Sequence, residues 1–432
     1  MNKRTYLILV ALLILPLLLT NSPTQISAQG NQPRNCPQLV RVAEEELVLN
    51  CVNLPGNMAC YGYPEVEARL EADPAHPVDT EFVPGSWAAL HNYVSFDAAA
   101  MNVDEAIWGL GALNVVANVP RGLVEELPVD PGVLFLLFGE ATVENAVPDG
   151  MLYIPVDEPL PVTVASDTMV MAEPAATSEE LGTALADSTL FADGVSPDGE
   201  WVRVAFDMQA GWVMLDDLVA VDVSGLPEIG PDSLTPMQSF YLRTGSGAPQ
   251  CNQAMPAGLF MQTPRDVEAD LILDGVPLEL TSATVFARIL PGNILKFQVV
   301  SGFMTLYPDT VNEVIIPAGF SYTACELTPP DQIDGWDDDP NDQVADCVGG
   351  LPVPFTNAER QEIQAIEGLP DNLFRYEFRV PRVTRGSGVG GPIDRVIIDP
   401  DSPAYDEIIR NCDLGRIPPE VCQHLAGYTP GG

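Results

Sequence analysis

The chain has 432 residues with 61 acids against 19 bases, a formal net charge of −42. A surface this negative repels phosphate and argues against nucleic acid as a partner. Glycine (35) and proline (41) make the chain turn-rich, but a hydrophobic content of 46% is too high for a disordered protein. Aromatic and β-branched residues fall in short runs, which excludes long helical bundles and coiled coils.

Residues 1–28 read as a secretory signal. Lys3 and Arg4 give the positive start, Leu7 to Leu19 is an apolar run broken by Pro16, and Ile26-Ser27-Ala28 places small residues at the cleavage point. Cleavage is expected between Ala28 and Gln29. The apolar run is shorter than the ~20 residues that cross a bilayer, and no later stretch is long enough. No membrane span is therefore expected after signal removal, and the expected location is secreted, extracellular or in the cell envelope.

All eight cysteines, Cys36, Cys51, Cys60, Cys251, Cys325, Cys347, Cys412 and Cys422, follow the signal, and export permits disulfides. Leu39, Ala43 and Leu47 recur at helical spacing, so residues 37–50 are expected to be a helix. At 1.5 Å rise per residue Cys36 and Cys51 would then stand about 22 Å apart, beyond the ~7 Å that a disulfide spans. Cys60 is expected to bond one of the two, with Cys51 and Cys60 as candidates, leaving a third thiol free or bonded elsewhere. Without a C-x2-C motif, and with His76, His91 and His424 scattered, no zinc site is expected.

Residues 36–148 form a first, α+β unit: the helix, a proline-rich middle, then Ala106 to Val119 and the apolar run Val133 to Gly139, read as a strand buried on both faces. Trp87 and Trp108 are expected in the core. Cys36-Pro37, Ala59-Cys60-Tyr61-Gly62 and Val133 to Gly139 followed by Glu140-Ala141-Thr142-Val143 resemble the N-terminal region of exported proteins of the filamentous green bacteria, the Chloroflexota.

Residues 160–221 carry short strands at Val162–Val164, Met169–Met171, Thr189–Phe191, Trp201–Val204 and Gly211–Val213, divided by turns, and are expected to close a small barrel. Leu181-Gly182-Thr183, Trp201-Val202-Arg203-Val204 and Gly211-Trp212-Val213 resemble the bacterial Src-homology-3 domain, with Met171-Ala172-Glu173-Pro174 replacing the family's Arg-Ser-Gly-Pro element beside its ligand groove. Val202 and Val204 share one strand face, opposite Trp201 and Arg203. Trp201 and Trp212 are expected as core or groove-wall residues of this barrel.

Residues 222–250 read as a linker. Residues 251–328 read as a second β unit, a sandwich or a solenoid-like stack of short strands, with turn signals at Asp274-Gly275, Pro291-Gly292, Ser301-Gly302, Pro308-Asp309 and Pro317-Ala318-Gly319. Leu280-Thr281-Ser282-Ala283, Pro291-Gly292, Val299-Val300-Ser301-Gly302 and Pro317-Ala318-Gly319 resemble the periplasmic FecR-type domain. The signalling role of that family needs a cytoplasmic segment, which is not expected here. Cys251 and Cys325 stand at the edges of this unit and are expected to staple it.

Residues 329–350 carry Asp331, Asp334, Asp337, Asp338, Asp339, Asp342 and Asp346, but not in calcium-loop order, so a solvated acidic linker is expected. Residues 351–432 are a small mixed unit, with helices at Asn357–Glu367, Tyr405–Asn411 and Pro419–Leu425, a strand at Tyr376–Val383, and Cys412 with Cys422 closing its last hairpin.

No catalytic set stands out. Gly386-Ser387-Gly388 and Gly245-Ser246-Gly247 are flexible loops with no nearby histidine, and a disulfide suits Cys36 better than a reactive thiolate. The expectation is a multi-domain, mainly β, secreted protein without cofactor, binding or scaffolding by surface contact to an envelope or extracellular partner, whether cell-wall material or protein. The alternative is a cell-wall hydrolase whose barrel targets a catalytic unit in residues 36–148 or 351–432.

Overall fold

The computed structural model describes residues 35–70, 77–122, 132–245, 247, 249–291, 294–326, 350–369, 371–388 and 391–428. Ala28, Gln29, Cys347 and the acidic stretch 329–349 lie outside them. The fold is mainly β, in line with the composition, and no helix of the described residues is long and apolar enough to cross a membrane.

Most strands belong to one large sheet. Its main path runs Val66–Leu70, Tyr93–Ala98, Ala141–Asn145, Ser239–Thr244, Glu268–Leu273, Val276–Leu290, Gly258–Gln262, Val133–Phe138, Leu110–Val115, Met58–Tyr63 and Trp87–Ala89. Ser239–Thr244 and Glu268–Leu273 pair in parallel, whereas Val133–Phe138 is antiparallel to both of its neighbours. The apolar run at 133–138 splits its side chains by the period of two that a strand imposes. Val133, Phe135 and Leu137 enter one core, and Leu134, Leu136 and Phe138 enter another on the opposite face. Burial on both faces explains why no polar residue interrupts it.

The second of these cores is covered by the helix Cys36–Cys51. Asn35 caps it by accepting the Gln38 N–H, and Leu39, Val40, Ala43 and Leu47 face inward. The helix and the neighbouring strand pack so closely here that a Cβ on Gly62 would stand 2.9 Å from the Leu110 carbonyl oxygen and 3.2 Å from the Leu47 Cα, so glycine is favoured there. Disulfides hold both ends of the helix: Cys51 to Cys60, with Cα atoms 5.6 Å apart, and Cys36 to Cys251, 5.2 Å apart.

This corrects the expected Cys251–Cys325 staple. Cys251 lies against the start of the helix, where its sulfur is bonded to that of Cys36. Cys325 belongs to the strand Phe320–Glu326, and its side chain is outside the described residues.

Two unit boundaries also change. The expected linker 222–250 contains the strand Ser239–Thr244, which sits inside the large sheet with Phe240 and Leu242 buried. Residues 251–328 are not separate from 36–148, because Gly258–Gln262 pairs with Val133–Phe138 along its whole length. The strands of 251–328 are also longer than expected: Val276–Leu290 and Ile294–Leu306 form one long hairpin. The Ser301-Gly302 step is a bulge within it. Gly302 has φ +62, and a Cβ there would stand 2.3 Å from the Ser282 carbonyl oxygen.

Residues 160–221 form their own six-stranded antiparallel sheet, ordered Glu180–Ala184, Thr168–Met171, Gln209–Met214, Trp201–Phe206, Thr189–Val195 and Leu160–Thr163. Its small core is mostly valine: Val162, Val164, Val170, Val202, Val204 and Val213. The C-terminal stretch is not a separate unit. Ile408, Cys412, Val421 and Cys422 enter the first large core, and Cys412 bonds Cys422. Residues 374–381 do not form the expected strand, which begins at Arg382. They cross the second core instead, where Phe374 and Phe378 pack on Phe260 with ring centroids 5.5 and 5.7 Å away. The Tyr376 hydroxyl reaches the bulge in the long hairpin, donating to the Ser282 carbonyl beside Ser301 and Thr284.

Candidate functional site

The six-stranded sheet has two faces with different occupants. Val202, Val204 and Val213 fill its own core, while Trp201 and Trp212 point the other way, as strand alternation requires. Both tryptophans are buried, yet not in the valine core. They cluster with Met171, with Tyr153 from the segment before the sheet, and with Ile229 from the segment after it. The cover over the aromatic face is therefore supplied by the chain's own flanks. Backbone bonds fix those flanks: Tyr153 donates to Leu234, Leu234 to Met151, Ile229 to Val195, and Val195 to Pro227.

A buried ion pair lies on the same face. Arg203 stands across from Trp212 in the ladder and donates two 2.8 Å hydrogen bonds to the carboxylate of Asp193. Asp193 also accepts the Arg121 N–H at 2.8 Å, and the Arg203 guanidinium sits 5.9 Å from the centre of the Tyr153 ring. Burial, the largest single influence, pushes the guanidinium toward losing its proton, but the charges of Asp193 and Tyr153 and the hydrogen bonds to both together outweigh it and hold the pKa above its ordinary value. Tyr153 is pushed up, chiefly by burial. This group joins the small sheet to the rest of the chain through Arg121 and Tyr153. A signal for it existed in the sequence: an arginine on the same strand face as Trp201 must find a partner if that face is covered.

The flanks also leave a groove of about 460 Å³ against the large sheet, lined by Asn57, His91, Ile154, Asp157 and Leu226 among others. His91 Nδ1 faces the Asn57 amide at 3.2 Å, and His424 Nδ1 faces the Asp394 carbonyl at 2.7 Å. Neither ring meets a hydroxyl or thiol nucleophile among the described residues. Cys36 is bonded to Cys251 and is not a free thiol. His76, Ser246 and the Ser387 side chain lie outside the described residues. Trp108 is fully buried, but Trp87 is 43% exposed, held by its indole N–H donating to the Asn50 carbonyl, which corrects its expected core position.

One carboxylate cluster went unread in the sequence. The two-residue turn Asp274-Gly275 has both φ angles positive, the hairpin form that Asp-Gly favours. Its register sets Asp270 opposite Glu279 and Glu268 opposite Thr281. Glu268, Asp270 and Glu279 consequently share one outer face, with ligand oxygens all within 4.8 Å of one another. Like charges across an antiparallel pair repel. Burial, then Glu268, Asp270 and Asp309, push Glu279 up to about 7 against the lowering effect of Arg416. Glu268 and Asp270 are also raised, first by burial and then by neighbouring acids, but both remain solvent-exposed and water screens part of the effect. Calcium takes six to eight oxygens, so three carboxylates alone make a charge cluster and not a cage.

No family model, no curated protein and no solved structure matches this chain, so its function has to be read from this geometry alone.

Proposed function

We propose that this chain is a secreted, non-catalytic protein of the cell envelope or extracellular space that binds or scaffolds by surface contact. The observation that carries the reading is the occupied aromatic face of the six-stranded sheet. In a free targeting module, the face bearing Trp201, Arg203 and Trp212 would be open to a ligand. Here Tyr153 and Ile229 of the same chain occupy it, so the module serves as a part of the body. The Src-homology-3-like reading of residues 160–221 and the FecR-like reading of the strands between Gly258 and Glu326 belong to this proposal, as structural modules without their families' ligand or signalling roles. The disulfides Cys36–Cys251, Cys51–Cys60 and Cys412–Cys422 are compatible with export. The test is purified full-length protein on peptidoglycan, casein and polysaccharide substrates. The expected result is no turnover. Turnover abolished by a single substitution within residues 36–148 or 351–432 would establish the cell-wall hydrolase reading instead.

A further inference from the structure

Bases are scarce in this chain, 19 against 61 acids, yet three arginines line one pocket of about 410 Å³. Arg360 comes from the helix Asn357–Gln364, Arg379 from the extended segment that follows Phe378, and Arg382 from the first position of the hairpin strand Arg382–Gly388. Gln364, one helical turn beyond Arg360, lines the pocket with it, as an i, i+4 pair on one helix face does.

Two carboxylates also line the pocket, but both are engaged. Glu377 pairs with Arg379 at 3.7 Å, and Glu367 accepts the Val380 N–H at 2.7 Å. Among the described residues no carboxylate lies within ion-pair distance of Arg360 or Arg382. Phe378 and Val380 give the pocket an apolar side.

We propose that this pocket binds a single oxyanion group, a carboxylate, phosphate or sulfate carried on an otherwise weakly charged body. Planar guanidinium forks suit two-oxygen recognition of such groups. The lining carries three positive and two negative side chains, so one negative charge is what it can neutralise. A polyanion is disfavoured because the chain's net charge of −42 repels it at long range. The apolar side accepts the carbon skeleton next to the charged group.

The experiment is calorimetric titration of full-length protein with acetate, inorganic phosphate and sulfate in separate runs, which distinguishes the three oxyanions. At least one should bind with a dissociation constant in the millimolar range or tighter. Arg360→Gln and Arg382→Gln should each weaken that binding about tenfold or more, while Arg410→Gln, exposed on another helix, should leave it unchanged. The melting temperature of each variant, read in parallel without anion, separates loss of the site from loss of the fold. No heat with any of the three anions, or equal binding by wild type and both pocket variants, would overturn the proposal. Failure here leaves the non-catalytic reading standing, and turnover of a wall substrate would sink that reading without touching this pocket.

Discussion

The large sheet and the six-stranded sheet solve the same packing problem by different means. At its centre the large sheet buries both faces, and Val133–Phe138 feeds alternate side chains to its two cores. The six-stranded sheet has one small valine core, and its other face packs against side chains arriving on irregular segments, Tyr153 and Ile229. Cysteines divide in the same way: all eight fall outside residues 160–221. The body is stapled covalently, whereas the module is held by a buried ion pair and an aromatic cover. Each region should therefore fail under a different insult.

The largest expected effect falls on the body. Replacing Cys36 and Cys251 together by alanine opens a loop closed over a sequence separation of 215 residues, which costs about 5 kcal/mol in the chain-entropy model. Opening the Cys51–Cys60 loop, with a separation of 9, should cost about half as much. Denaturant midpoints of the two variants should differ in that order, and equal midpoints would place the stabilisation outside loop entropy. A reductant should likewise destabilise the body while leaving hydrogen-exchange protection of strands 201–214 intact.

In the module, Asp193→Ala strands the buried Arg203 charge and should cost about 3–5 kcal/mol. Trp212→Ala should cost a similar amount through lost packing. Because Trp201 is as buried as Trp212, in the same cluster, Trp201→Ala should be nearly as damaging. Limited proteolysis of full-length protein should show cutting within 160–221 first. Equal loss of protection in the large sheet would erase the contrast between the two regions.

The smallest effects are electrostatic. Glu279 titrates near 7 in the folded chain against an ordinary 4.5, so the folded state holds the extra proton between those values. Its contribution is complete below about pH 4.5 and is lost as pH rises through about 7. Glu44 and Asp274, also raised to about 7 mainly by burial, act in the same direction. Melting temperature should thus rise modestly on acidifying from pH 8 to 6, and Glu279→Gln should flatten part of that slope. Added salt should raise it as well, by screening repulsion in a chain of net charge −42. A flat salt response would show that the acids are too dispersed to strain the fold.

What the sequence revealed depended on how local each feature is. The helix Cys36–Cys51 and the strand Val133–Phe138 were legible because period and apolar run are properties of one segment. The strand Ser239–Thr244 was hidden by the prolines and glycines around it, although Phe240 and Leu242 alternate with Tyr241 and Arg243. Ser301-Gly302 was read as a turn, since a bulge is defined by the register of the partner strand. Cys251 found its partner 215 residues away, a distance at which spacing carries no information. At the candidate site, the outward direction of Trp201 was legible from alternation. Its cover was not, because Tyr153 and Ile229 lie in segments with no periodic pattern. The carboxylate cluster could have been read: a two-residue Asp274-Gly275 turn by itself places Asp270 opposite Glu279.

Hydrogen exchange by mass spectrometry on full-length wild type and on a Tyr153→Ala/Ile229→Ala double variant tests directly whether Tyr153 and Ile229 hold the aromatic face. If the chain's own flanks seal the aromatic face, strands 168–171 and 201–214 lose protection in the variant while strands 133–138 and 258–262 do not change. Undiminished protection of 201–214 in the double variant would contradict the account, because the face would then be holding itself together without the cover.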